Sequence, residues 1–446
     1  MHEAIMTTAD KAVSRLSRIL TLGGGRRALY PPPRDFGELN DAQFKAAIHT
    51  SNGDPIPARL ALHFDVPARY RGSFCHPPPA IGEEDANPAA LYRDRLIREL
   101  GLVASLFDRD RDVVRVNLAP GMTRWMTPAQ VEELLDSLFH QLHLHRRGDL
   151  DLAMTLDGET RAVRVNEWAA LGFNRIGIGL GALASHANAA HLREAVARQL
   201  DTARQAGFAN IRMEVPYAMP GQDDATFAAL LDAVIAARPE RVVLRYCGEP
   251  KNRNSEKESD ARHRQHARLL CAAADRLGEA GYHHVGGELF ALEDDPLLRA
   301  QRSGHIHRDV LGFGAHGTTH LVGFGVGAIS QLGRCYAQNP EDPADWERRI
   351  DSASRAVARG LVLNEEDQLR ARIFQQIMCH GYIDADRLEH WYHIEFRRYF
   401  DGELTRLAPL FVDGSLAWAG NRIVLDPIAR LASSAIASLF DPHTLS

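Results

Sequence analysis

From about residue 59 the chain alternates short apolar runs with long amphipathic stretches. The apolar runs predict strands over Leu60–Val66, Val113–Ala119, Asp151–Leu156, Arg175–Leu180, Asn210–Tyr217, Arg241–Cys247 and His284–Phe290. Between them, apolar residues recurring at helical spacing predict helices over Pro88–Phe107, Pro128–His145, His191–Ala206, Asp223–Ala237 and Glu258–Ala280. Thr127 before Pro128 places an N-cap residue ahead of a proline in the first turn, a sound helix start. Six strand–helix repeats followed by a further strand point to a parallel α/β barrel, complete or partial. A doubly wound sheet would produce the same rhythm, and spacing does not separate the two.

The flanks have a different texture. Residues 1–58 form a polar lead-in, with a short amphipathic helix near Asp10–Leu20 and a loop carrying Gly23–Gly25 and Pro31–Pro33. From about Asp342, helices separated by short turns are expected over Pro343–Arg359, Glu365–His380 and Asp384–Phe400. LAPLFVDGSLAWAGNRIVLDP then gives two strands joined by a turn around Ala419–Asn421. The expected division is therefore a lead-in (1–58), a partial barrel (59–340) and a mainly helical C-terminal domain with a small β-wing (341–446). Such a helical bundle with a wing is a common docking module, so a protein partner would engage it there.

Composition narrows the class. The 446 residues carry a net charge of −6, which gives no reason to expect nucleic acid or an anionic membrane as partner. No apolar run reaches the roughly 18–20 residues a membrane span needs. The first twenty residues lack an apolar stretch with a small-residue cleavage site. Five cysteines (75, 247, 271, 335 and 379) are scattered without pairing spacings, which suits a reducing compartment. The expectation is a cytoplasmic globular protein.

The most informative segment is Leu311–Asn339, LGFGAHGTTHLVGFGVGAISQLGRCYAQN, where Gly323, Gly325 and Gly327 alternate with Phe324, Val326 and Ala328. Such spacing lets a backbone approach something large and flat, or make a tight strand-to-loop crossing inside a core. With the preceding GGELFALEDDPLLRAQRSGHIHRD, this segment resembles the oxygen-independent coproporphyrinogen III oxidases, radical-SAM enzymes of haem biosynthesis. GFNR at Gly172–Arg175, Asn210–Pro220, HIHRD at His305–Asp309 and CYAQN at Cys335–Asn339 resemble motifs of that family. LNEEDQLRARIFQQIMC and YFDGELTRLAPLFVDG resemble its C-terminal helical domain. The resemblance implies an α/β fold: an incomplete (β/α) TIM-like barrel of the radical-SAM type, followed by a mainly helical domain.

It also implies chemistry that this chain is not equipped for. The family holds a [4Fe–4S] cluster with three cysteines in Cys-x-x-x-Cys-x-x-Cys spacing after the first barrel strand. Here that strand leads into LALHFDVPARYRGSFCHPPP, whose single cysteine, Cys75, and neighbour His76 are only weak metal candidates. The family's Gly-Gly-Gly-Thr-Pro loop, which receives the amino group of S-adenosylmethionine, is replaced by NLAPGM at Asn117–Met122. Its fourth-strand Gln-Asp becomes Gly181–Ala182, and the resemblance leaves only Asp157 and Glu214 as vestiges of the S-adenosylmethionine site. Losses on successive strand ends fall where a barrel keeps its active site. Neither the cluster nor S-adenosylmethionine is therefore expected to bind, and no catalytic residue is assigned.

The ligand half of the family pocket would remain. On the resemblance, Arg302, Arg308 and Arg334 would pair with propionates, because a guanidinium fork suits carboxylates. His305 and His307 would ligate haem iron, and Gly323, Gly325 and Gly327 would pack on the macrocycle. The leading expectation is a cluster-less relative that binds haem or a porphyrin without radical catalysis. Two alternatives stay open: an active oxidase with an unconventional or partner-supplied cluster, and a non-catalytic scaffold.

Overall fold

The computed structural model describes residues 8–22, 30–71, 86–144, 150–157, 162–184, 188–248 and 256–442. Six parallel strands run in chain order: β2 (Arg59–Phe64), β3 (Val113–Leu118), β4 (Asp151–Asp157), β5 (Arg175–Gly179), β6 (Asn210–Tyr217) and β7 (Arg241–Tyr246). Helices follow them, among them Ala86–Ala104, Pro128–Gln141, Ala189–Gln205, Asp224–Ala237 and Glu256–Glu279. The Pro128 helix starts as its sequence predicts, with Thr127 and Gln130 forming a reciprocal capping box.

The final predicted strand, His284–Phe290, is instead an antiparallel hairpin of β8 (Tyr282–Gly286) and β9 (Leu289–Leu292) on the edge of β7. The Gly286–Gly287–Glu288 turn breaks an apolar run that reads as one strand. The seventh parallel strand is β12 (Thr319–Phe324), which comes from the glycine-rich segment and lies beside β2. Beyond it the sheet continues antiparallel through β13 (Ile329–Leu332), β14 (Cys335–Gln338), β15 (Arg359–Val362) and the two-residue β1 (Gly37–Glu38). The sheet thus reaches into both flanks, past the expected limits at 58 and 340. Its two ends, β1 and β8, do not meet, so the barrel is open.

Parallel strands covered on both faces usually read as continuous apolar runs. These strands alternate. Leu62, Phe64, Val116, Leu118, Leu152, Met154, Ile176, Ile178, Ile211, Met213, Val215, Val242 and Leu244 are buried in the main core. The intervening positions carry His63, Arg115, Asn117, Asp151, Thr155, Arg175, Arg212, Glu214, Arg241 and Arg245. One face of the sheet is therefore apolar under its helices, and the concave face is charged.

The open side of the barrel is filled from both flanks. A short hairpin, β10 (His307–Asp309) with β11 (Gly312–Gly314), enters it, and Asp309 pairs with Arg115 of β3. The helix Glu365–His380, capped by Asn364, packs behind that hairpin. The expected helix Asp384–Phe400 is divided into Ala385–Tyr392 and Phe396–Tyr399 by His393, at φ 53°. The wing is β17 (Leu416–Ala419) with β18 (Arg422–Leu425), and β16 (Tyr382–Asp384) joins it as a third strand. The lead-in is more than a tail. Its helix Thr8–Leu22 buries Leu16 and Ile19, and Arg15 reaches Ser415 and Asp426 near the wing. Among the described residues no helix is long and apolar enough to cross a membrane.

Candidate functional site

The concave face of β6 and β7 opens onto a cavity of about 370 Å³. Four arginines line it: Arg212 of β6, Arg241 and Arg245 of β7, and Arg308 of β10. The β8–β9 turn contributes Glu288, the hairpin contributes Phe313, and Met378, Leu431 and Leu20 close the apolar side. Alternation along the strands sends these guanidiniums inward while Met213, Val215, Val242 and Leu244 go to the core.

Glu214, fully buried on the same strand, lies between two of the arginines, 2.7 Å from Arg212 and 2.7 Å from Arg245. Burial alone would raise its carboxyl, but the two guanidiniums hold it below the usual range. Arg241 makes a two-pronged pair with buried Asp295, at 2.7 and 2.9 Å. The Arg308 guanidinium lies 4.8 Å from the Phe313 ring centroid, and its backbone is clamped by Gln375 through bonds of 3.1 and 2.6 Å. The Nε of Arg212 is buried with no hydrogen-bond partner. A wall of four guanidiniums can receive carboxylates in bidentate geometry.

Of the tetrapyrrole candidates read from the sequence, only Arg308 lines this cavity. Arg302 is exposed at the end of the helix Pro296–Arg302 and pairs with Glu293. His305 is exposed, with Nδ1 3.0 Å from the Ser303 hydroxyl. Arg334 is exposed in the turn joining β13 to β14. His307 is absent from the cavity lining because it alternates with Arg308 on β10. Its imidazole is held below its usual range chiefly by burial, and its Nε2 has no hydrogen-bond partner.

The glycine ribbon packs on the protein itself. A Cβ on Gly323 would lie 2.6 Å from the Ile329 carbonyl, and one on Gly325, at φ 96°, 2.6 Å from the Asp65 carbonyl. Gly325 N–H donates to Glu99 at 2.7 Å, Val326 N–H to the Tyr92 hydroxyl at 2.9 Å, and Tyr92 donates to the Asp65 carbonyl. Gly327 N–H donates to the Pro340 carbonyl. At Gly323 and Gly325 the close neighbours are the protein's own backbone, as a tight strand-to-loop crossing requires.

Glu214, read from the sequence as a vestige of the S-adenosylmethionine site, has both carboxylate oxygens ion-paired to arginine. Asp157 ends β4 opposite Gly179, and its side chain lies outside the described residues, as do Cys75 and His76. Beyond β3, Ala119 N–H donates to the Phe64 carbonyl and Pro120 has no N–H to offer. Trp125 is buried there, stacked on Tyr70 with ring centroids 3.9 Å apart, and Tyr92 tilts against it at 5.0 Å.

Comparison with known proteins settles the lineage. The chain is 29% identical over 444 residues to the oxygen-independent coproporphyrinogen III oxidase of Pseudomonas aeruginosa, covering 96% of this chain and 95% of that one. It is 28% identical over 431 residues to the enzyme of the same name from Salmonella typhimurium, covering 94% and 93%. The solved structure of coproporphyrinogen III oxidase from Escherichia coli, described as a radical SAM enzyme, superposes with a TM-score of 0.80 at 26% identity, covering 94% and 97%. The chain belongs to the oxygen-independent coproporphyrinogen III oxidase family. No family model matches it.

Within that family the donor set decides whether a cluster fits. A cubane needs three thiolates, and this chain has one cysteine before Cys247. Cys247, at the end of β7, is disulfide-bonded, a pairing its dispersed spacing did not predict. Burial pushes the thiols of Cys271 and Cys379 up to about 12 and that of Cys335 to about 11, so they are neutral core side chains. The residues present do not fit a three-thiolate cluster.

Arg212, Arg241, Arg245 and Glu288 were missed in the sequence. The signal of the three arginines was present in NIRMEVPY and RVVLRY, where charges fall two or four residues apart, on one face of the strand, between apolar neighbours.

Proposed function

We propose that this member of the coproporphyrinogen oxidase family binds a carboxylate-bearing tetrapyrrole in the arginine-lined cavity and does not perform the radical chemistry of its relatives. The observation that carries this reading is the convergence of Arg212, Arg241, Arg245 and Arg308 on one cavity. Its relatives are named for coproporphyrinogen III, which implies a ligand with several carboxylate arms. An apolar flank formed by Phe313, Leu289, Leu297 and Met378 suits the ring of such a ligand, while the guanidiniums suit its carboxylates. The missing thiolates and the apolar filling beyond β3 support the non-radical part of the reading.

Titration with coproporphyrin III, followed by quenching of porphyrin fluorescence, tests the proposal. Micromolar binding is expected. Arg308→Ala should weaken it by about 1.5–3 kcal/mol, roughly tenfold or more, through one lost charge-assisted pair. No spectral change well past micromolar ligand would overturn the reading.

A further inference from the structure

Behind the cavity wall lies a connected chain of three polar side chains that the binding reading does not use. Tyr217, the last residue of β6, is fully buried, and its hydroxyl lies 2.6 Å from Oε1 of Glu288 and 2.9 Å from Nε2 of His266. Glu288 lines the arginine cavity, whereas His266 is buried on the helix Glu256–Glu279 on the other side of Tyr217. Tyr246 stacks on the His266 ring with centroids 4.2 Å apart, and Phe227 packs on Tyr217 at 5.8 Å. On the cavity side Arg245 and Arg308 share the wall with Glu288.

A tyrosine hydroxyl has one proton to give. With that proton on the Glu288 bond, His266 must present Nε2–H to the tyrosine oxygen. The three groups therefore form a directed donor chain that ends on a carboxylate in the cavity.

We propose that His266, Tyr217 and Glu288 form a proton relay into the arginine-lined cavity, with Glu288 taking up one proton when a carboxylate ligand binds there. The inference rests on the preceding reading of that cavity. A proton arriving at Nδ1 of His266 releases the Nε2 proton to the Tyr217 oxygen, and the tyrosine's own proton passes to Oε1 of Glu288. No electron moves, and the tyrosine ends as it began. A ligand carboxylate draws Arg245 and Arg308 to itself, and beside Glu288 it then favours the neutral acid through like-charge repulsion. Its proton lies on Oε1, toward Tyr217, so the neutral acid acts on the ligand by no longer repelling it.

Two measurements test the relay, one of them independent of any ligand. The first is an NMR titration of His266, assigned as the imidazole signal missing from His266→Gln. Its pKa should fall by about one unit in Glu288→Gln, through loss of the coupled negative charge, and Tyr217→Phe should lower it too, by removing the oxygen that accepts from Nε2–H. The second is calorimetry with coproporphyrin III in two buffers of different ionisation enthalpy. Uptake of about one proton per ligand is expected in the parent protein and none in Glu288→Gln.

An imidazole indifferent to both substitutions, or binding without proton uptake, overturns the relay. If His266 responds but no porphyrin binds, the relay's coupling stands, whereas proton uptake on ligand binding falls together with the proposed ligand.

Discussion

Two regions of the barrel handle space in opposite ways. Beyond β3, rings and aliphatic groups fill the volume: Trp125 between Tyr70 and Tyr92, with Met122 fully buried beneath. Along β6 and β7 the chain keeps buried charge, with Glu214 between two arginines and Arg241 locked to Asp295. Apolar filling of this kind stabilises, whereas replacing buried ion pairs by packed apolar residues is often neutral or favourable. A wall that retains charge under those terms is a wall with work for it. The difference separates apolar packing from buried charge within one sheet, and the proposed ligand would use the second.

The comparison is sharpest at Trp125. Trp125→Ala should lower unfolding stability by about 3–5 kcal/mol in chemical denaturation while leaving porphyrin affinity unchanged. A large loss of affinity with little loss of stability would make the upper loop a binding surface after all. Arg245→Ala should do the reverse, weakening coproporphyrin III by about 1.5–3 kcal/mol in a fluorescence titration. Glu214 keeps its Arg212 partner in that variant, so the stability change should be the smaller one.

Gly325→Ala probes the ribbon between the two regions. At φ 96° with the Asp65 carbonyl in the way, it should destabilise by about 1–3 kcal/mol. Unchanged stability together with lost ligand binding would favour the flat-ligand reading of the glycines.

The gentlest test is pH. Burial raises Glu99 to about 7 from its usual 4.5, against hydrogen bonds from Gly325 and Asn339. The folded state therefore holds that proton more tightly than the unfolded chain. Its stabilising contribution is complete below about pH 4.5 and is lost as pH rises toward 7. His284 and His320, held down to about 4 chiefly by burial, slope the other way over much of the same range. The quantity to measure is thus the stability of the parent relative to Glu99→Gln, which should decline from pH 5 to pH 7.5. A flat difference would show that Glu99 keeps one charge state in both forms.

The fold was largely legible because strand alternation and helix capping are local signals; Thr127 and Asn364 start their helices as such residues should. The β8–β9 hairpin was not, since a two-residue reversal inside an apolar run has the same composition as one strand. Site residues were harder to place for a different reason. Arg302, His305, His307 and Arg334 were grouped with Arg308 by nearness along the chain, but the helix end, hairpin alternation and sheet turn point them in separate directions. Arg212 and Arg245 share the wall with Arg308 from far along the chain, and only strand pairing brings them together.

The tie between Arg15 and Asp426 spans 411 residues. The helix Thr8–Leu22, which supplies Leu20 to the cavity, cannot take its final place until the segment after the wing has been synthesised. Its apolar stripe of Leu16 and Ile19 stays uncovered until the helix Glu256–Glu279, its chief neighbour, has emerged, which at ribosomal rates of about 5–20 residues per second takes roughly ten seconds or more. The cavity, lined by Leu20 and by Leu431, is thus completed only late in synthesis.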